Sequence, residues 1–174
     1  MTDPRAEFLR VARTELSQAS GRVVDCLSKL SLDQIWRREH AIENSVGNLV
    51  LHLAGNVRQW ILSGVGDQPD DRDRDWEFEN RERIPAQELG ERLSATVAEA
   101  DRVLRDLNPA RLTEVRHIQV FPNITVLHAI THVLTHFAGH TGQVIWATKH
   151  VTGQDLGYYS YLKKGVPEER DPTT

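Results

Sequence analysis

Four histidines, His128, His132, His136 and His140, recur every four residues inside the apolar stretch TVLHAITHVLTHFAGHTGQVIWATKH. On an α-helix, residues four apart share a face, offset by about 40° and separated by roughly 6 Å along the axis. The interval therefore predicts a helix with imidazoles along one face. The apolar remainder of that helix has to pack against other elements. A polar stripe in such a setting is costly unless its groups find partners.

The rest of the chain offers three further long helices. Asp3 before Pro4 reads as an N-cap with proline in the first turn, and Phe8, Leu9, Ala12, Leu16, Ala19, Val23, Cys26, Leu27 and Leu30 follow at helical spacing. Ser31 caps a short segment, SLDQIWRR, of a turn or two. A second long helix is expected from Asn44–Ser45 to Ser63–Gly64, and a third from Pro85 to the stop at Asn108–Pro109. The histidine helix starts at Asn123 or Thr125 and reaches Thr152–Gly153. No alternating pattern is long enough to require a sheet, although RHIQV could be extended. These helices predict an all-α fold, an antiparallel four-helix bundle.

At 174 residues, one domain is expected over residues 1–165, followed by a polar tail over 166–174. The 17 residues from Asp67 to Arg83, DQPDDRDRDWEFENRER, read as a solvated loop that Trp76 and Phe78 anchor. A net charge of −4 and the lack of a basic recognition helix argue against nucleic-acid binding. One cysteine, Cys26, excludes a disulfide framework and a cysteine-rich zinc module, and is most simply a core residue. No run approaches a membrane span, and MTDPRAEFLR lacks the apolar core of a signal peptide, so a cytoplasmic protein is expected.

A metal ion would satisfy the histidine stripe. The second long helix carries its own narrow polar stripe, Asn48–His52–Asn56, within NLVLHLAGN. His52 and one adjacent pair from the fourth helix could supply three imidazoles to one ion. All four stripe histidines cannot, since His128 and His140 lie about 18 Å apart along the axis. Geometry leaves the pairs 128/132, 132/136 and 136/140 open. Gly139 and Gly142 lean toward the last, because small residues let a neighbouring helix approach.

Three segments, ENSVGNLVLHLAGNVRQW, RDRDWEF and THFAGHTGQVIWATK, resemble the DinB/YfiT-like superfamily of metal-dependent four-helix proteins, in an uncharacterised branch. The likeness runs from about Ser31 to Leu162. It implies a bundle with a long crossover connection and a divalent metal, zinc or nickel, on His52, His136 and His140. Three imidazoles leave a coordination position open, the pattern of catalytic rather than structural zinc. Relatives that are thiol S-transferases and isomerases imply metal-activated attack by a low-molecular-weight thiol, and a homodimer as the assembly; the expected activity is a thiol S-transferase, or a hydrolase, acting on a small molecule.

Other residues carry secondary expectations. His132 is a candidate to line the pocket or relay a proton, against the plainer reading of a buried histidine bonded to a backbone carbonyl. Asn56 and Gln143 are candidates to orient the ligating imidazoles. Glu77 could swing over the open position as fourth ligand or general base, or simply be solvated. His40, His117 and His150 read as surface or packing residues. Trp60, Trp146 and the tyrosines Tyr158, Tyr159 and Tyr161 could wall a pocket or pack the core. Two non-enzymatic readings compete: a metal-binding or stress-associated interaction protein with an enclosed site, and a structural bundle whose histidines pair among themselves.

Overall fold

A computed structural model describes residues 3–160 of the chain. Six α-helices account for most of them: α1 (Pro4–Ser28), α2 (Leu32–Ile35), α3 (Val46–Val57), α4 (Arg74–Glu79), α5 (Ala86–Asp106) and α6 (Val126–Thr152). The expected tail at 166–174, and Tyr161, fall outside the described residues.

The local chemistry explains the helix ends. Asp3 accepts a hydrogen bond from the Arg5 backbone N–H, and Ser45 and Thr125 accept from the N–H groups of Asn48 and His128. Each side chain thus satisfies a donor that the first turn leaves open. Ser31 and Gln34 form a reciprocal capping box around α2. Helix α6 ends at Gly153, which adopts φ 67° and donates its N–H to the Lys149 carbonyl. That left-handed conformation suits a residue without Cβ. Helix α3 does not stop at Val57: it widens into a π-helical stretch, Arg58–Ser63, before Gly64.

The four long helices close a ring. Helix α1 packs on α5 and α6, and α3 packs on the same two. Their inward faces form one apolar core, with Leu27, Leu53, Ile61, Leu89, Leu93 and Phe137 among its fully buried side chains. Cys26 belongs to this core, as expected.

Two connections depart from the sequence expectation. The fold is mostly helical, but one antiparallel hairpin, β1 (Val115–Ile118) and β2 (Phe121–Thr125), leads into α6. Val115 pairs with Thr125 and Ile118 with Phe121, and an irregularity between Arg116 and Ile118 shifts the register. Ile118 and Ile124 are buried and fix the hairpin to the body. The hairpin carries Phe121 and Ile124 to the wall of a cavity beside α6.

The charged segment is largely solvent-exposed, as expected, but it is not loop throughout. It contains α4, which packs on α3. Its anchors are largely polar: Arg72, Glu77 and Asn80 are buried, whereas Trp76 is 41% exposed. Phe78 meets the predicted role, with its ring centroid 4.5 Å from that of His52. No helix among the described residues is long and apolar enough to cross a membrane.

Candidate metal centre

His52 projects from α3 and His136 and His140 from successive turns of α6, and their ring nitrogens converge. One ligand atom from each of the three lies within 4.8 Å of the others. The Nε2 atoms of His52 and His136 are 3.0 Å apart, and the His140 ring stands 4.5 Å from His136 and 5.2 Å from His52, centroid to centroid. Of the three pairs that helical spacing left open, 136/140 is the one that meets His52. The rationale from Gly139 and Gly142 fails, however. No neighbouring helix comes near, since a Cβ on either would meet nothing within 4 Å. Both glycines face a separate open cleft. The pair is selected instead by the rotation of α6 against α3.

The imidazoles are held from behind. Nδ1 of His52 lies 2.9 Å from Glu77 Oε2, and Nδ1 of His140 lies 2.7 Å from Gln143 Oε1. Both acceptors call for Nδ1–H, which turns a bare Nε2 toward the cluster in each ring. Arg72 Nη2 also approaches His52 Nδ1, at 3.0 Å, but it donates to Glu77 Oε2 at 2.8 Å, and Nε donates to Oε1 at 2.7 Å. Two donors therefore share one carboxylate, and the tautomer of His52 stands. His136 Nδ1 is buried and has no hydrogen-bond partner.

In the two rings from α6, electrostatics favours the neutral form that metals require. Burial, reinforced by His140, His52, His132 and Arg72, pulls the pKa of His136 down to about 3. His140 is also lowered, chiefly by burial, with Gln143 opposing. The donor set thus fits a divalent ion: three imidazoles, two with oriented tautomers, around one point.

Other predicted residues fall in different places. Glu77 neither hangs over the cluster nor moves freely in solvent; it is buried behind His52, on the side away from the convergent nitrogens. Gly55 makes this possible, because a Cβ there would stand 1.8 Å from Glu77 Oε1. Asn56 touches no ligating ring; it is 4% exposed, lines the neighbouring cavity, and its Oδ1 is unpartnered. Asn48 is a clamp: its Nδ2 donates to the carbonyls of Glu77, Phe78 and Asn80 at 2.8, 3.3 and 3.2 Å. His132 makes no carbonyl hydrogen bond among the described residues and instead stacks on Trp60, with centroids 4.0 Å apart. Burial lowers its pKa, with His128 and Arg72 adding to the effect. His128 is exposed and lines the same cavity.

The aromatic residues divide. Trp60 is buried; Trp146 is 67% exposed and stacks on His150, outside the cluster. The Tyr158 hydroxyl donates to Asp25 Oδ2 at 2.7 Å, far from the histidines in the fold. Arg72 is the residue that sequence reading missed. Its position within an alternating charge run resembles that of its solvated neighbours, so only its spacing of five from Glu77 offered a hint.

No curated protein matches the chain. A crystal structure described as "the conserved protein of locus from Enterococcus faecalis" is similar in fold, with a TM-score of 0.65, 19% sequence identity, and coverage of 82% of this chain and 96% of that one. The model of the family described as "Protein of unknown function (DUF1572)" matches residues 3–164, a span that includes His52, Glu77, His136 and His140, and the chain belongs to this family.

Proposed function

We infer that this protein is a divalent-metal-dependent enzyme acting on a small molecule, with His52, His136 and His140 as ligands to zinc or nickel. The observation that carries the reading is the convergence of three ring nitrogens within 4.8 Å, with Glu77 and Gln143 fixing the outer nitrogens of two of the rings. A merely structural histidine cluster has no need of a buried Arg72–Glu77 pair behind one ring. The neighbouring cavity, with His52 and His136 in its wall, favours an open site over an enclosed one.

An ion held there would supply Lewis acidity to a water, a thiol or a carbonyl group. The protein's own residues would orient the ligating rings and confine the substrate. His132, uncharged at neutral pH and one turn from His136, is placed to accept a proton from a group in the cavity. Transfer of a low-molecular-weight thiol and hydrolysis are both compatible with this set, and thiol transfer is our preferred reaction class. Helices α1, α3, α5 and α6 are read as the four helices of a DinB/YfiT-type bundle, a reading that their ring packing supports. The domain is assigned to residues 1–165, and a homodimer in the cytoplasm completes the proposal.

Elemental analysis of protein purified without a nickel column tests the core of this reading. About one zinc or nickel per chain in wild type, lost in His136→Ala, is expected. Wild-type protein that holds no metal after incubation with divalent ions and repurification would sink it.

A further inference from the structure

A cavity of about 310 Å³ opens beside the histidine cluster. Its charge and its unpartnered polar groups indicate what it suits, given the metal reading above, on which this inference rests. An ion on three neutral imidazoles keeps its full charge, because no carboxylate belongs to the cluster. The Glu77 carboxylate is offset by Arg72, which pairs with both of its oxygens. Among the described residues, no Asp or Glu lines the cavity, whereas Arg74 does. Arg74 lies over the Phe78 ring, 4.9 Å from its centroid, and no ion pair among the described residues includes it. Its chain neighbours Asp73 and Asp75 form no ion pair with it among the described residues, and neither lines the cavity. With an ion held by the histidines, the cavity wall therefore carries positive charge and no carboxylate.

Polar groups in the wall are also unsatisfied. Asn56, 4% exposed, has a buried Oδ1 without a partner, and the buried Nε1 of Trp60 has none either. Buried polar atoms in native proteins are nearly always paired, so two unpaired atoms in the residues of one cavity point to a ligand. Gln119 and His128 also line the wall, and one side of it is apolar. Trp60 stacks on His132 and lies 6.2 Å from Phe121, centroid to centroid, and Ile124 stands alongside.

We propose that this cavity binds a small carboxylate with a planar apolar body. The carboxylate faces the ion and Arg74, whose guanidinium fork matches it. The Asn56 amide, whose ends interchange by a flip, donates to it from Nδ2, and the apolar body lies against Trp60 and Phe121. The volume stands at the small end of ligand pockets, enough for about one substituted ring.

The test uses the full chain loaded with cobalt(II), whose visible absorption reports changes at the ion. Benzoate and its neutral isostere benzamide are titrated separately. Benzoate is expected to shift the cobalt bands with a Kd at least about tenfold lower than that of benzamide. Arg74→Gln should weaken benzoate by about tenfold with unchanged cobalt stoichiometry, and Asn56→Asp should abolish its binding. Equal affinity for the two probes, or an Arg74→Gln protein that binds benzoate as wild type does, overturns the carboxylate assignment and leaves the metal reading intact. A chain that takes up no cobalt overturns both.

Discussion

At the scale of single residues, the side chains behind the imidazoles decide how well the site can hold an ion. Glu77 fixes the tautomer of His52 and Gln143 that of His140. Removing such outer partners typically lowers metal affinity about 10–100-fold. Glu77→Gln is expected at the upper end, because it also leaves the buried Arg72 without its carboxylate, and Gln143→Ala at the lower end. Competition against a chromogenic zinc chelator measures both; wild-type affinity in Glu77→Gln would remove Glu77 from the site. Gly55→Ala reaches the same carboxylate by another route. Its Cβ would stand 1.8 Å from Glu77 Oε1, so Glu77 must leave. A loss of about 1–3 kcal/mol of stability is expected, as for other overpacked sites, together with weakened metal binding. The small residue in NLVLHLAGN was visible in sequence, but its reason was not, because Glu77 approaches it from 22 positions away.

Individual elements show how a charged segment became part of the site. Helix α4 has few apolar anchors; Asn48 holds it by the carbonyls of Glu77 and Phe78 and of Asn80, the residue that follows it. Asn48→Ala removes these bonds and leaves the buried Glu77 carbonyl without its side-chain donor, at a cost of about 1–3 kcal/mol. Trypsin is then expected to cut between Arg72 and Arg83 much faster than in wild type, and metal affinity should fall although Asn48 touches no ligand. Unchanged proteolysis would show that α4 is held by other contacts. Gly153→Ala offers the contrast. It places a Cβ on a residue at φ 67° and should cost about 1 kcal/mol by urea unfolding, with metal affinity unaffected, since the cap of α6 lies away from the histidines. The caps at Asp3, Ser31, Ser45 and Thr125 were legible because capping is local chemistry. The hairpin was legible only as RHIQV, which overlaps β1; β2 was not, because it is short and Phe121, Pro122 and Asn123 are all exposed, which breaks the alternation that marks a strand.

For the whole molecule, the histidine cluster links stability to pH. In the metal-free protein His136 has a pKa of about 3, against an ordinary value of 6.5. Between these values the unfolded chain binds the proton and the folded chain does not, so stability rises with pH across the window. The folded state is thus best favoured above about pH 6.5 and loses this contribution progressively as the pH falls toward 3. The lowered pKa values of His132 and His140 act in the same direction. A bound ion adds stability that grows with its concentration over Kd, and it competes with protons for the same nitrogens. Thermal unfolding with and without zinc should therefore show a Tm increase at pH 7 that is largely kept at pH 5, where His136 is still neutral, and fades only as the pH falls toward 3. A zinc-induced shift independent of pH would mean that the ion sits elsewhere.

The sequence by itself determined the four long helices and α2, their caps, the core face that includes Cys26, and two polar stripes at helical spacing. All of these are set by residues within a turn or two of one another. Sequence geometry alone could not choose which histidines meet, since 128/132, 132/136 and 136/140 are equivalent along one helix. Nor could it turn DQPDDRDRDWEFENRER into a buried Arg72–Glu77 pair behind His52. Those outcomes depend on the rotation of α6 against α3 and on α4 folding back over Gly55. Such long-range contacts exist only once the helices have packed, and this is why the tertiary structure, not the local pattern, placed three ring nitrogens around one point.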